Sequence, residues 1–172
     1  LAPDGYTLTF FDPSNSGRPD GAKLNFDGMA ELRFDDAERG RAVTGGNFPA
    51  AVTDDGWADL VEMPTTWMRV REHVVVAGPR HLDEAGQRAA REAACKLTFL
   101  IAARPGVAVQ QVVGHWLDIH VPNFASNFVA SGGVRYVVNV AQRTAGADLV
   151  GLAELLYQDR DAAQNHAVSD DG

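Results

Sequence analysis

The sequence predicts an α+β fold made of two incomplete copies of one small unit, in which the elements follow the order βαββαβ. The first observation is a recurring segment, since residues 28–36 read GMAELRFDD and residues 151–159 read GLAELLYQD. Five of the nine positions are identical and two more are conservative, which indicates an internal repeat with an offset of 123 residues. The second observation is that the elements predicted around the two segments complement each other.

The first copy is predicted to contain strands and one helix. A strand over Tyr6–Phe11 alternates β-forming residues, and a second strand covers Phe26–Phe34. The turn-rich segment Asp12–Gly21 joins them. A helix begins near Asp35, because acidic residues are favourable in a first turn. A third strand is predicted over Trp67–Val76.

The second copy starts with an apolar strand over Lys96–Ala103 and a helix that runs from about Val107. Pro122 disfavours helical geometry in the residue before it, so we expect the helix to end or kink near Val121, with His120 at its end. The remaining elements are strands over Val134–Val140 and Leu149–Tyr157 and the start of a helix over Arg160–His166.

Overlaid on their shared strand pair, the two copies give βαββαβ, which is the ferredoxin-like arrangement with a split βαβ unit. We therefore predict a first domain at 1–78, a linker at 79–94 and a second domain at 95–172. A repeat of about 123 residues does not fit twice into 172 residues. We expect the first copy to lack its beginning and the second copy to lack its end.

Composition narrows the function classes. The net charge is −8, and no run of Lys or Arg exceeds two residues, which argues against binding nucleic acid or an anionic membrane surface. The single cysteine, Cys95, excludes an internal disulfide and a cysteine-rich metal site. The sequence has neither a run of ~18–20 apolar residues nor a signal-peptide pattern, so we expect a soluble, cytoplasmic protein.

The segment GHWLDIHVP at 114–122 is the richest motif. On a regular α-helix His120 falls on the apolar face with Trp116, and His115 and Asp118 flank it. A histidine on a packed face is commonly a core residue. At the end of a helix, however, it can face a cleft, and the ordinary pKa of histidine, about 6.5, suits proton transfer near neutrality.

A metal site is not predicted for this motif. His115 and His120 are five residues apart, which is about 140° around an α-helix and a poor geometry for sharing one ion. The recurring Glu31 and Glu154 alternate with apolar residues on strands, which favours a structural role tied to the fold.

The same motif resembles the EthD family, whose members carry His-Trp-x-x-x-His-x-Pro on a helix. The matching residues are His115, Trp116, His120 and Pro122. The pair Tyr136-Val137 resembles a Tyr-Val pair on the following strand, and Glu72-His73 resembles a Glu-His pair on the last strand. The resemblance covers most of the chain, with its most specific motif in the second copy.

The resemblance implies a dimeric α+β barrel, in which two four-stranded sheets pack face to face and each leaves a cleft between its sheet and helices. In a tandem chain the two copies can form that pair internally, and a homodimer of the whole chain is a further arrangement. Families on this barrel include cofactor-free decarboxylases, polyketide cyclases, lactone isomerases, ring monooxygenases and haem-handling proteins, so the fold does not decide the function.

We expect a lyase or isomerase that needs no metal or cofactor and acts on a small hydrophobic, aromatic or polyketide-like molecule. The reaction would be an isomerisation, cyclisation, dehydration or decarboxylation that depends on proton transfer by histidine. His120 would transfer a proton, His115 or Asp118 would set its protonation, and Tyr136 or Asn139 would hold an oxyanion. Further candidates for binding the molecule are Trp116, His73 and Phe124. Two alternatives stay open: a non-catalytic carrier that serves an oxygenase system, and a haem protein with His120 or His73 as ligand.

Overall fold

A computed structural model describes residues 3–11, 28–44, 68–78, 94–142 and 149–168. The fold is mixed α+β with two antiparallel sheets. The chain divides into two compact units, residues 1–65 and 66–172. The predicted loop Asp12–Gly21 and residues 79–93 of the predicted linker lie outside the described residues. None of the helices in the described ranges is long and apolar enough to cross a membrane.

The six predicted strands are all present, with bounds shifted by up to three residues. The strands are β1 (Gly5–Phe10), β2 (Gly28–Arg33), β3 (Val70–Val76), β4 (Cys95–Ala102), β5 (Gly133–Ala141) and β6 (Leu149–Tyr157). The helices are α1 (Ala37–Thr44), α2 (Val109–His115), α3 (Val121–Ala130) and α4 (Arg160–Val168), and a π-helical turn (Trp116–His120) connects α2 to α3.

The first unit contains the antiparallel pair β1–β2, followed by α1. The carboxylate of Asp4 ties the start of β1 to the segment that follows β2. It accepts hydrogen bonds from the backbone N–H of Asp35 at 2.8 Å and from Arg39 at 3.1 and 3.2 Å. These contacts fix the point at which the chain leaves the hairpin and enters the helix.

The second unit is built on a four-stranded sheet in the order β3-β5-β6-β4, in which all neighbours are antiparallel. Strands β4 and β5 are consecutive and run parallel, with β6 between them, and the helical segment α2–α3 connects them. This connection is a split βαβ unit. By its pairing, β3 belongs to this sheet, although the sequence repeat assigns it to the first copy.

The two hairpins of the repeat have the same register. Tyr6 lies opposite Leu32 in the first unit, and Tyr136 lies opposite Leu155 in the second. The offset between Leu32 and Leu155 is that of the sequence repeat, so Tyr6 and Tyr136 are equivalent positions that the sequence comparison did not align. The correspondence therefore extends from β2 and β6 back into β1 and β5.

The recurring glycines occupy equivalent sites of close backbone approach. A Cβ atom added at Gly28 would lie 2.5 Å from the carbonyl oxygen of Thr9, and one at Gly151 would lie 2.0 Å from that of Asn139. Thr9 and Asn139 are themselves equivalent in register. The repeat therefore keeps glycine here because any side chain would collide with the neighbouring strand.

The helices after β2 and β6 also begin in the same way. Asp36 accepts a hydrogen bond from the backbone N–H of Glu38 at 2.7 Å, and Asp159 accepts one from Ala162 at 2.8 Å. Each aspartate thus caps a helix N-terminus, where donors would otherwise lack partners. This explains why an aspartate closes both copies of the recurring segment.

The helical segment over the sheet differs from the prediction that it ends at His120. It continues through Pro122 to Ala130, and the proline lies in the first turn of α3. Inside a regular α-helix the proline ring would clash with the carbonyl group of Asp118, four residues earlier. The intervening π-helical turn is wider and accommodates the proline, so the helix is locally distorted but not ended.

The core of the second unit lies between α3 and the sheet. Phe128 is fully buried, and its ring makes an edge contact with Tyr157 at a centroid distance of 5.1 Å. Tyr136 contacts Phe128 and Phe124, with centroid distances of 5.7 and 5.4 Å. This aromatic cluster anchors the helix that carries the histidine motif.

Candidate functional site

The π-helical turn lies within the histidine motif itself. The backbone N–H of Val121 donates to the carbonyl oxygen of Trp116, five residues earlier. In such a turn, residues five apart come close to one another along the helix axis. The separation of about 140° between His115 and His120 is that of a regular α-helix and does not apply to this turn. Turns of this kind occur frequently at functional sites.

Both histidines border one open groove of about 380 Å³ between the helical segment and the edge of the sheet. Its lining is mainly apolar. The residues that form this histidine groove are Ile101, Val107, Gln111, Val112, His115, Trp116 and His120. The volume falls within the range of small-molecule pockets, about 300–1,000 Å³. The groove is thus large enough to hold a small ligand.

The ring of His120 is supported from outside the groove by Phe124. The two rings stack with a centroid distance of 5.6 Å and an interplanar angle of 19°. Phe124 belongs to the aromatic cluster that packs against the sheet. Although His120 is exposed, its ring plane is held by the core beneath it.

Trp116 connects the groove to the core. It is almost fully buried, and its indole N–H donates a hydrogen bond to the hydroxyl of Tyr136. Burial raises the pKa of Tyr136, and the hydrogen bond from Trp116 partly offsets that rise. The phenol therefore remains protonated at neutral pH and lies under the helix, where it does not line the groove.

Asn139 has a different environment. Side chains alternate along a strand, so Asn139 lies on the face of β5 opposite to Tyr136. Its amide donates to Oε2 of Glu154 at 2.9 Å, and Oε1 of the same carboxylate forms an ion pair with Lys96. Asn139 is 4% exposed. Glu154 thus pairs with side chains of the two neighbouring strands, in the kind of structural role that its recurrence predicts.

The other two candidates also lie away from the groove. Asp118 is exposed and does not line it. His73 lies on the edge strand β3, opposite Val138 of β5, whereas Ile101 belongs to β4 at the other edge of the sheet. Three strand spacings of about 4.8 Å separate the edges, or roughly 14 Å. The structure therefore brings together His115, Trp116 and His120 and leaves His73 and Asp118 outside.

Gln111 is the polar residue of the groove that the sequence analysis did not identify. It precedes His115 by four residues within α2, a spacing that places two side chains on the same helix face. That spacing is visible in the sequence. The apolar stripe of valines does not indicate it, because that stripe marks only the helix face packed on the sheet.

Comparison with protein-family models, curated proteins and solved structures found no match. The likeness to EthD domains therefore depends on the motif residues of this chain alone. In the described part of the chain, no group of three or more His, Cys, Asp or Glu side chains is placed to hold a metal ion.

Proposed function

We propose that this chain carries two EthD-like, ferredoxin-like copies that pair as an internal α+β barrel. We further propose that the side chains of the histidine groove transfer protons to and from a small apolar or aromatic molecule without a cofactor. The observation that carries this proposal is the π-helical turn. It places His115, Trp116 and His120 around one mainly apolar groove.

Two features support the tandem arrangement. The hairpins β1–β2 and β5–β6 share register, recurring glycines and helix caps. In addition, β3, the last strand of the first copy by sequence, pairs with β5 of the second copy. This pairing of a strand from one copy with a strand of the other is the kind of contact expected if the two copies form one barrel.

The chemistry follows from the side chains that meet in the groove. Neutral imidazole accepts a proton and imidazolium donates one, so two histidines beside one ligand can act as base and acid. His120 is assigned the proton abstraction, because stacking on Phe124 fixes its ring plane. His115 replaces Asp118 as its partner, since Asp118 does not line the groove. Such positioned proton transfer contributes about 10²–10⁴-fold to a rate.

The proposal is tested with 1-tetralone, an aromatic ketone with exchangeable α-protons, incubated with the protein in D₂O. We expect the protein to accelerate α-deuteration, followed by NMR, and His120→Ala to reduce the acceleration by about 10²–10⁴-fold. Asp118→Ala and His73→Ala are matched controls outside the groove and should retain it.

The outcomes separate an enzyme from a carrier. If His120→Ala exchanges as fast as the unaltered protein, the assignment of proton transfer to His120 is wrong. If 1-tetralone shifts the NMR resonances of groove residues but its α-protons do not exchange, and His120→Gln binds it equally well, the groove binds without chemistry.

A further inference from the structure

Gln111 gives the histidine groove an uncharged hydrogen-bond donor. It lies one helical turn before His115, and both side chains line the groove. Among the described residues that line it, none is Asp, Glu, Lys or Arg. The described hydrogen-bonding side chains that line the groove therefore include one amide and two imidazoles but no permanently charged group.

We propose that Gln111 is the polar anchor of the groove and that the ligand is an uncharged carbonyl compound whose oxygen accepts a hydrogen bond from Nε2 of Gln111. This inference rests on the proposed function and deepens it. None of the described lining residues is a lysine or arginine that could pair with a carboxylate, and an imidazolium that paired with it would be withdrawn from proton transfer, so an anion is unfavourable in this mainly apolar groove. An uncharged carbonyl oxygen needs only one donor.

The two oxyanion candidates from the sequence do not line the groove. The hydroxyl of Tyr136 accepts the indole N–H of Trp116 beneath the helix. The amide of Asn139 donates to Glu154 on the other face of the sheet. Gln111 is the side-chain amide that borders the groove, so it is the group placed to receive a developing charge on oxygen.

The anchor selects among the reaction types expected for the groove. An imidazole removes the proton next to the carbonyl, the C–H electrons form a C=C bond, and the carbonyl π electrons move onto oxygen beside Gln111. In a ketone that carries a C=C bond next to this carbon, the enolate extends over that bond, and the other imidazole delivers a proton to its far carbon, which regenerates the carbonyl group and moves the C=C bond into conjugation. The sequence is an isomerisation without oxidation or reduction, and it favours enolisation of a ketone over decarboxylation, which requires a carboxylate substrate.

The test compares 1-tetralone with tetralin, the hydrocarbon that lacks the carbonyl oxygen, by NMR titration of groove resonances. The unaltered protein should bind 1-tetralone about 3- to 10-fold more tightly than tetralin, as one net neutral hydrogen bond predicts. Gln111→Leu should bring this ratio to about one. Gln110→Leu is the matched control, because Gln110 is an exposed neighbour of the same type on α2 that does not line the groove.

Each result decides a separate point. A ratio unchanged in Gln111→Leu, with its melting temperature intact, overturns the anchor while leaving the proton-transfer assay to judge the histidines. Tighter binding of 1-naphthoate than of 1-tetralone at neutral pH overturns the uncharged ligand. If neither tetralin nor 1-tetralone shifts groove resonances, the proposed function itself fails, and the anchor with it. Gln111→Glu, which has no side-chain N–H when ionised, should also lose the preference for 1-tetralone.

Discussion

Gly133 lies at the start of β5 against the ring of Phe128, and replacing it with alanine tests the packing that holds the histidine helix on the sheet. A Cβ atom at Gly133 would lie 2.4 Å from Cε2 and Cζ of that ring and 2.5 Å from Cδ2. Ordinary contacts between carbon atoms are about 3.5–4.0 Å, so the methyl group overlaps the ring by about 1 Å or more. The ring is 0% exposed and contacts Tyr136 and Tyr157, which leaves it little room to move.

Two limits bound the cost of this substitution. If the neighbouring side chains adjust and the ring stays inside, the free energy of unfolding should fall by the amount typical of an overpacked core, about 1–3 kcal/mol. If the ring is expelled, the loss approaches that of removing a buried phenylalanine side chain, about 3–5 kcal/mol. We therefore expect Gly133→Ala to destabilise the second unit by an amount between these limits.

Urea denaturation followed by circular dichroism measures this loss, with Gly114→Ala as the control. At Gly114 the nearest atom to an added Cβ is Oδ2 of Asp118 at 3.9 Å, so alanine should fit and raise the stability of the helix by about 0.5–1 kcal/mol. Combining Gly133→Ala with Phe128→Leu should cost less than the sum of the single changes, because the smaller side chain relieves the overlap. A Gly133→Ala protein as stable as the unaltered one would show that Phe128 does not lie over Gly133. The position of the helix and its groove would then be wrong.

Three further substitutions or measurements test contacts outside the groove. Asp159→Ala removes the cap of α4 and should cost about 0.5–2 kcal/mol in urea denaturation, whereas Asp159→Asn should retain most of the stability; equal losses would contradict the cap. The backbone N–H of Asp35 and the guanidinium of Arg39 lower the pKa of Asp4 below its ordinary value of 3.8. The ionised carboxylate therefore stabilises the first unit when the pH is above 3.8, and this stabilisation is lost as the pH falls through the lowered pKa. Asp4→Asn should therefore be less stable than the unaltered protein at pH 7 and equally stable in acid, and a difference that persists in acid would refute the ion pair. Burial raises the pKa of the Cys95 thiol, so Cys95 should react with a disulfide reagent at pH 8 more slowly in the folded protein than in urea, and equal rates would contradict that burial.

The strands were the most predictable part of the molecule. Alternation located the three strands of the first copy, because a half-buried sheet requires period two. Short, largely apolar runs located the three strands of the second copy. The pairing of the strands was harder to predict from the sequence. That β3 joins β5 in the second unit depends on contacts between residues far apart in sequence, which a local pattern does not specify.

The helix over the sheet shows where local rules fail. Pro122 correctly indicated a disturbance of the helix, but the disturbance is a π-helical turn, after which α3 continues. The buried contacts of Phe128 with the sheet stabilise this continuation, and an estimate from backbone sterics alone does not include them. The same turn lies within the histidine motif, so the angle of a regular α-helix did not predict that both histidines would line one groove.

The two copies differ in exposure at the positions that the repeat equates. Tyr6 is 58% exposed and Tyr136 is 1% exposed, although each lies opposite the corresponding leucine of its hairpin. The difference in exposure between the two tyrosines therefore does not come from strand pattern or register. It arises because, in the second unit, the helical segment that carries Trp116 and Phe128 covers the sheet. The hairpin is present in both copies. The groove and its imidazole and amide side chains, by contrast, belong to the helical segment above the sheet and to the strand at its edge. A function assigned through the repeated segment alone would be given to both copies, but among the described residues the candidate site lies on α2 and the π-helical turn that follows it.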